Sequence, residues 1–131
     1  MTRDDAITSP PDTPVSDTEP IRVAYTVEQC WHDVPGGTAV AAIRIGRELD
    51  RSGHVDLQYV AGRHPMPPAP DYRPDGPVHM LPLGRRPLYE TWTRARWPKV
   101  EAVTGVIDVA HATGLIPCAT SAPLVVTVHD L

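Results

Sequence analysis

Apolar residues in this chain gather in short runs set apart by polar and proline-rich stretches. Ile21, Val23, Ala24, Tyr25 and Val27 predict a strand over residues 21–27. From Thr38 to about Arg51 the pattern changes period. Ala39, Ala42, Ile43, Gly46 and Leu49 recur every three or four positions, while Arg44, Arg47, Glu48 and Arg51 fill the other side. That spacing predicts an amphipathic helix with an Arg44–Glu48 pair one turn apart. Thr38 is a candidate cap at its start, and Gly53 suits a left-handed residue just past its end.

The remaining elements follow from similar signals. Residues 55–61 read as a second strand. Six prolines, at 65, 67, 68, 70, 74 and 77, remove donors and leave no regular element over 62–77. Residues 78–83 read as a third strand, and Pro82 assigns it to a sheet edge. Pro87 opens a helix to about Trp97 with Leu88, Trp92 and Ala95 inward. Pro98 breaks it, and a short helix reaches Val103. After Gly105, residues 106–111 form strand four. Residues 124–128 form strand five, a continuous apolar run of the kind found in a central parallel strand covered on both faces.

Strands alternating with helices predict an α/β domain with a Rossmann-like, doubly wound parallel sheet and right-handed crossovers. Ligands of such sheets bind outside the carboxyl ends of the strands. Polar residues collect there: Glu28, Cys30 and His32 after strand one, His111 ending strand four, and His129 with Asp130 ending strand five. Gly36 and Gly37 lie at the first strand-to-helix switch.

Composition divides the 131 residues into a tail and one domain. Residues 1–20 contain four prolines, two large aliphatics and a net charge of −4, too little apolar surface to offset ordering. The remainder has 11 basic and 11 acidic residues, so no global field points to nucleic acid. A local cluster, Arg85, Arg86, Arg94, Arg96 and Lys99, reads as a solvated helix face or as a patch for anionic lipid or phosphate. No apolar run reaches the roughly 20 residues of a membrane span, and the acidic N-terminus is no secretory signal. The expectation is a cytoplasmic protein with Cys30 and Cys118 as reduced thiols.

Motifs narrow the chemistry. There is no GxGxxG and no GxxxxGK[ST]. Gly36-Gly37 reads either as a turn needing positive φ or as a place where a diphosphate or sugar approaches the backbone. His129-Asp130 suits proton transfer or hydrogen bonding to a ligand, with a simple strand cap as the plain alternative. His111, with Asp108 three residues earlier, reads equally as a ligand contact or a loop anchor. Cys30, His32, His111, Cys118 and His129 could converge on a zinc ion, but no close-spaced pair of zinc-finger type is present. Cys30 with His32 or His129 is a weaker nucleophile pair.

The order of Arg22-Val23-Ala24-Tyr25-Thr26-Val27, Pro35-Gly36-Gly37-Thr38, Asp108-Val109-Ala110-His111-Ala112 and Pro123-Leu124-Val125-Val126-Thr127-Val128-His129-Asp130 resembles one family. It is similar to the N-terminal domain of family-four retaining glycosyltransferases, one half of a GT-B fold. The resemblance implies a nucleotide-diphosphate sugar as donor substrate, a glycan or lipid acceptor, and no metal or other cofactor. It implies that Gly36, Gly37 and Thr38 approach donor or acceptor, that His111 lines the acceptor side, and that His129, followed by Asp130, contacts the donor sugar. The family's second domain, which carries most donor contacts and an E-x7-E motif, lies outside these 131 residues. The expectation is therefore that this chain alone transfers no sugar and is marginally stable. Peripheral contact with the inner face of a membrane is a further expectation. Two rivals stand beside this reading: another nucleotide-binding Rossmann-like enzyme, and a non-catalytic half-domain that binds a partner through strand five.

Overall fold

The computed structural model describes residues 19–33 and 36–128. Most of the acidic tail lies outside them, as do His129 and Asp130. Five strands form one all-parallel sheet: β1 (Ile21–Thr26), β2 (Val55–Ala61), β3 (Val78–Met80), β4 (Val109–Ala112) and β5 (Leu124–Val126). Their spatial order is β3-β2-β1-β4-β5. Helix α1 (Gly36–Ser52) covers one face. Helix α2 (Arg85–Arg94) and the short α3 (Glu101–Thr104) cover the other. The architecture is a Rossmann-like doubly wound sheet, as the alternating pattern predicts.

Alternation along β1 explains the two cores. Val23 and Tyr25 point to α1, joined by Ala39, Ala42, Ile43, Leu57 and Tyr59. Ala24 points the other way, into a cluster with Val60, Leu81, Leu88, Trp92, Val100 and Ala110. Helix α1 sits close because Gly46 has no side chain: a Cβ there would lie 3.2 Å from the Tyr25 ring. The buried Tyr25 hydroxyl donates to the Ala42 carbonyl at 2.6 Å, and the Tyr59 hydroxyl donates to Asp50 at 3.0 Å. Gly53 has φ +75°, the left-handed stop expected after the helix.

The proline-rich segment crosses the α1 side. Tyr72 packs on that core, and Arg47 holds Asp75 through a two-pronged contact at 2.7 and 3.0 Å. One short 3-10 turn, Pro70–Tyr72, forms where no regular element is expected. It contains Pro at its first position, where the missing donor costs nothing.

Other departures are local. Helix α1 begins at Gly36, two residues before Thr38, so Thr38 lies inside the first turn and is no cap. Ala95 is exposed because α2 ends at Arg94. Strand β4 starts at Val109, since the Arg22 amide and side chain hold the preceding turn through Asp108, Val106 and Thr104. Strand β5 is an edge strand among the described residues, not a central one. Val125 and Val126 are 50% and 38% exposed.

Trp92 is the largest fully buried side chain, and its indole N–H donates to the Pro98 carbonyl at 2.9 Å. Trp92→Ala is expected to cost about 3–5 kcal/mol in urea denaturation. Trp97→Ala, at an exposed position, should stay within about 0.5 kcal/mol.

Candidate functional site

Strand order reverses between β1 and β4, and a doubly wound sheet opens its ligand crevice at that point. The two strand ends are tied together there. The Thr113 amide donates to the Thr26 hydroxyl at 3.1 Å, and the Thr113 hydroxyl donates to the Thr26 carbonyl. Gln29 in turn donates its side-chain amide to the Thr113 hydroxyl at 2.7 Å. All three residues are buried, so the floor of the crevice is a satisfied polar lock and not an apolar seam.

Helix α1 starts at the same carboxyl edge. Gly36 and Gly37 are both exposed, and a Cβ at either would meet nothing within 4 Å. Gly36 has φ +66°, a conformation that favours glycine. The turn requirement is therefore real at Gly36, while Gly37 is free of it. Both lie in the first turn of a 17-residue helix, where backbone donors lack partners within the helix and the dipole favours negative charge. Thr38 is partly buried beside them.

His111 is not the last residue of its strand, since Ala112 follows it in β4. It pairs in register with Tyr25 on one side and Val125 on the other. Its ring meets the Tyr25 ring edge-on at 5.2 Å, and its Nε2 lies 2.6 Å from the Thr127 hydroxyl. Burial lowers its pKa below the ordinary histidine value. Asp108 sits at the opposite end of the strand, accepting from the Arg22 amide at 2.9 Å, and is no partner of His111. His129 and Asp130 lie outside the described residues.

The metal-ligand set weighed from sequence is not assembled. Cys30 and Cys118 lie in cores on opposite faces of the sheet. Among the described residues no group of three or more His, Cys, Asp or Glu side chains is arranged to hold a metal ion. The Cys-His nucleophile pair is opposed as well. Burial first, and the Glu28 charge second, push the Cys30 thiol up to about 12. A thiol held protonated is a poor nucleophile.

Sequence reasoning missed a second constellation, beside the ends of β1, β2 and β3. Glu28 is only 2% exposed. Its carboxylate accepts the Gly62 amide at 2.7 Å and faces His64 Nε2 with both oxygens, at 3.0 and 2.9 Å. Trp31 stacks on His64 with ring centroids 4.6 Å apart and planes 7° apart. Gly62 admits no side chain, since a Cβ would lie 2.7 Å from the Leu83 carbonyl. Nearby, burial foremost and then Arg85 lower the His32 pKa, and its Nε2 is 3.5 Å from the Tyr89 hydroxyl. Glu28 and His64 are 36 positions apart, so no local pattern joins them.

The basic cluster is surface. Arg94 pairs with Glu90 at 2.6 Å and Lys99 donates to Ser121 at 2.7 Å. Among the described residues no helix is long and apolar enough to cross a membrane. Comparison with known protein families, curated proteins and solved structures finds no match to this chain.

Two solution measurements follow. His111 binds its proton less readily folded than unfolded, so the unfolded state gains a proton on it as pH falls below about 6.5. Stability is expected to drop through that range and level off below the lowered folded value. His111→Gln should give a shallower acid decline in urea midpoints, and a profile parallel to the parent would contradict the assignment. Cys118, like Cys30, is shifted upward by burial, to about 11. Neither thiol should react with an aromatic disulfide reagent in the native protein, and both should react in denaturant.

Proposed function

We infer that this chain is the acceptor-side Rossmann-like domain of a retaining glycosyltransferase that uses a nucleotide-diphosphate sugar. The observation that carries the reading is the unobstructed glycine pair in the first turn of α1, at the carboxyl edge of a β3-β2-β1-β4-β5 sheet. Backbone donors there suit sugar or phosphate oxygens. The absence of a GxGxxG fingerprint speaks against a dinucleotide enzyme on the same sheet. In this reading His129 hydrogen-bonds the donor sugar and steadies charge developing on the leaving phosphate. Asp130 follows it in the cleft, and His111 serves the acceptor side from a ring orientation held by Tyr25 and Thr127. A second α/β domain, supplied elsewhere in the enzyme, closes the cleft. Contact of the Arg85–Lys99 cluster with an anionic membrane belongs to the same reading.

The partner-binding alternative draws on one observation, the exposed apolar edge of β5 with Val125, Val126 and Val128. A defined oligomer in sizing chromatography would favour it.

Amide NMR shifts during titration with nucleotide-diphosphate sugars test the main reading. Saturable shifts are expected at Gly36, Gly37 and Thr38. Gly37→Ala should fold normally, because its Cβ meets nothing, yet weaken binding about ten-fold by standing in the ligand's way. Saturation of the same amides by a nicotinamide dinucleotide, or no saturation by any nucleotide sugar, would overturn it.

A further inference from the structure

The cleft beside the proline-rich segment is distinct from the β1/β4 crevice and is built around the Glu28–His64 pair. A carboxylate only accepts hydrogen bonds, so Nε2 of His64, facing both Glu28 oxygens, carries a hydrogen. The Gly62 amide holds the carboxylate from a second direction. Trp31 lies flat on the imidazole and is itself fixed by its indole N–H on the Met66 carbonyl at 2.8 Å. These contacts set the tautomer, tilt and plane of the ring. Joining the ends of β1 and β2 does not demand this, since the Glu28–Gly62 bond alone does so.

In that tautomer Nδ1 is an acceptor. It has no partner among the described residues and is not among their sealed, unpaired polar atoms. His64 borders two adjoining hollows of about 260 and 380 Å³. Their walls include Met66, Pro67, Val78 and Met80, with Arg73 at the rim. An acceptor backed by a buried carboxylate repels an anion and suits a neutral hydroxyl. Apolar walls beside one oriented acceptor fit a ring with apolar C–H faces and a hydroxyl rim.

We propose that this cleft is a saccharide subsite in which His64 Nδ1 accepts a hydrogen bond from a ring hydroxyl, with Glu28 as the positioning residue. The proposal deepens the glycosyl-transfer reading by naming a neutral saccharide as the acceptor class, and it rests on that reading only for the acceptor role.

The test titrates the isotope-labelled protein with methyl hexosides and simple disaccharides, with adenosine as a flat-ring control. Saturable shifts are expected at the Trp31 indole, at Gly62 and at the Nδ1 nitrogen signal of His64. Glu28→Gln should alter the imidazole tautomer signature and weaken binding. His64→Phe keeps a flat ring without nitrogen and should weaken binding about ten-fold, the loss of one hydrogen bond. Met66→Glu changes a rim residue that is 69% exposed; it leaves folding intact and should block the cleft. The proposal is overturned if no saccharide saturates these signals, if adenosine alone does, or if His64→Phe and Met66→Glu bind like the parent. Nucleotide-sugar shifts at residues 36–38 report on the wider reading separately, so either can fail while the other stands.

Discussion

Strand β1 must be covered on both faces and paired along both edges, and the rest of the molecule is arranged around that demand. It lies between β2 and β4, with Ala24, Tyr25 and Thr26 almost fully buried. A parallel sheet cannot leave such a strand facing water. Helix α1 meets one side of β1, and Trp92, Leu88 and Val100 meet the other. Gly46 and the Tyr25–Ala42 hydrogen bond show how tightly the first contact is drawn. The tyrosine hydroxyl is satisfied where no water reaches.

The same burial organises the carboxyl edge. Where the strands end, backbone and side-chain polar groups leave the sheet and must find partners without water. Thr26, Gln29 and Thr113 satisfy one another across the β1/β4 junction. Glu28 does so with Gly62 and His64 across the β1/β2 junction. The two networks flank the start of α1. They make the edge a rigid frame on which exposed groups can be held in place: the Gly36-Gly37 turn on one side, the Trp31–His64 stack on the other. Rigid support of this kind is what a binding constellation needs.

Much of the framework was legible from periodicity. Residues 55–61 alternate and cluster as β2 does, and the three-four spacing of Ala39, Ala42, Ile43 and Gly46 marks the buried face of α1. Pro82 correctly placed the third strand at an edge, because proline cannot donate to a neighbour. The apolar run of Leu124–Val128 misled, since a run buried on both sides and a run left exposed at an edge share the same composition. Thr38 misled because helices end within one or two residues of where propensity suggests. Of the candidate site residues, Gly36, Gly37 and Thr38 do lie together, whereas His111 belongs to the sheet face with Tyr25 and not to Asp108.

The sequence by itself determined the alternation of elements, the α/β class and the glycine pair at the first strand-to-helix junction. All of these depend on spacings of a few residues, which propensity and side-chain period control directly. Tertiary structure alone decided the order β3-β2-β1-β4-β5, the exposure of β5, and the meeting of Glu28, His64 and Trp31. Those features arise from chain segments tens of residues apart, brought together only when the two faces of β1 are covered and the polar groups at its end seek partners.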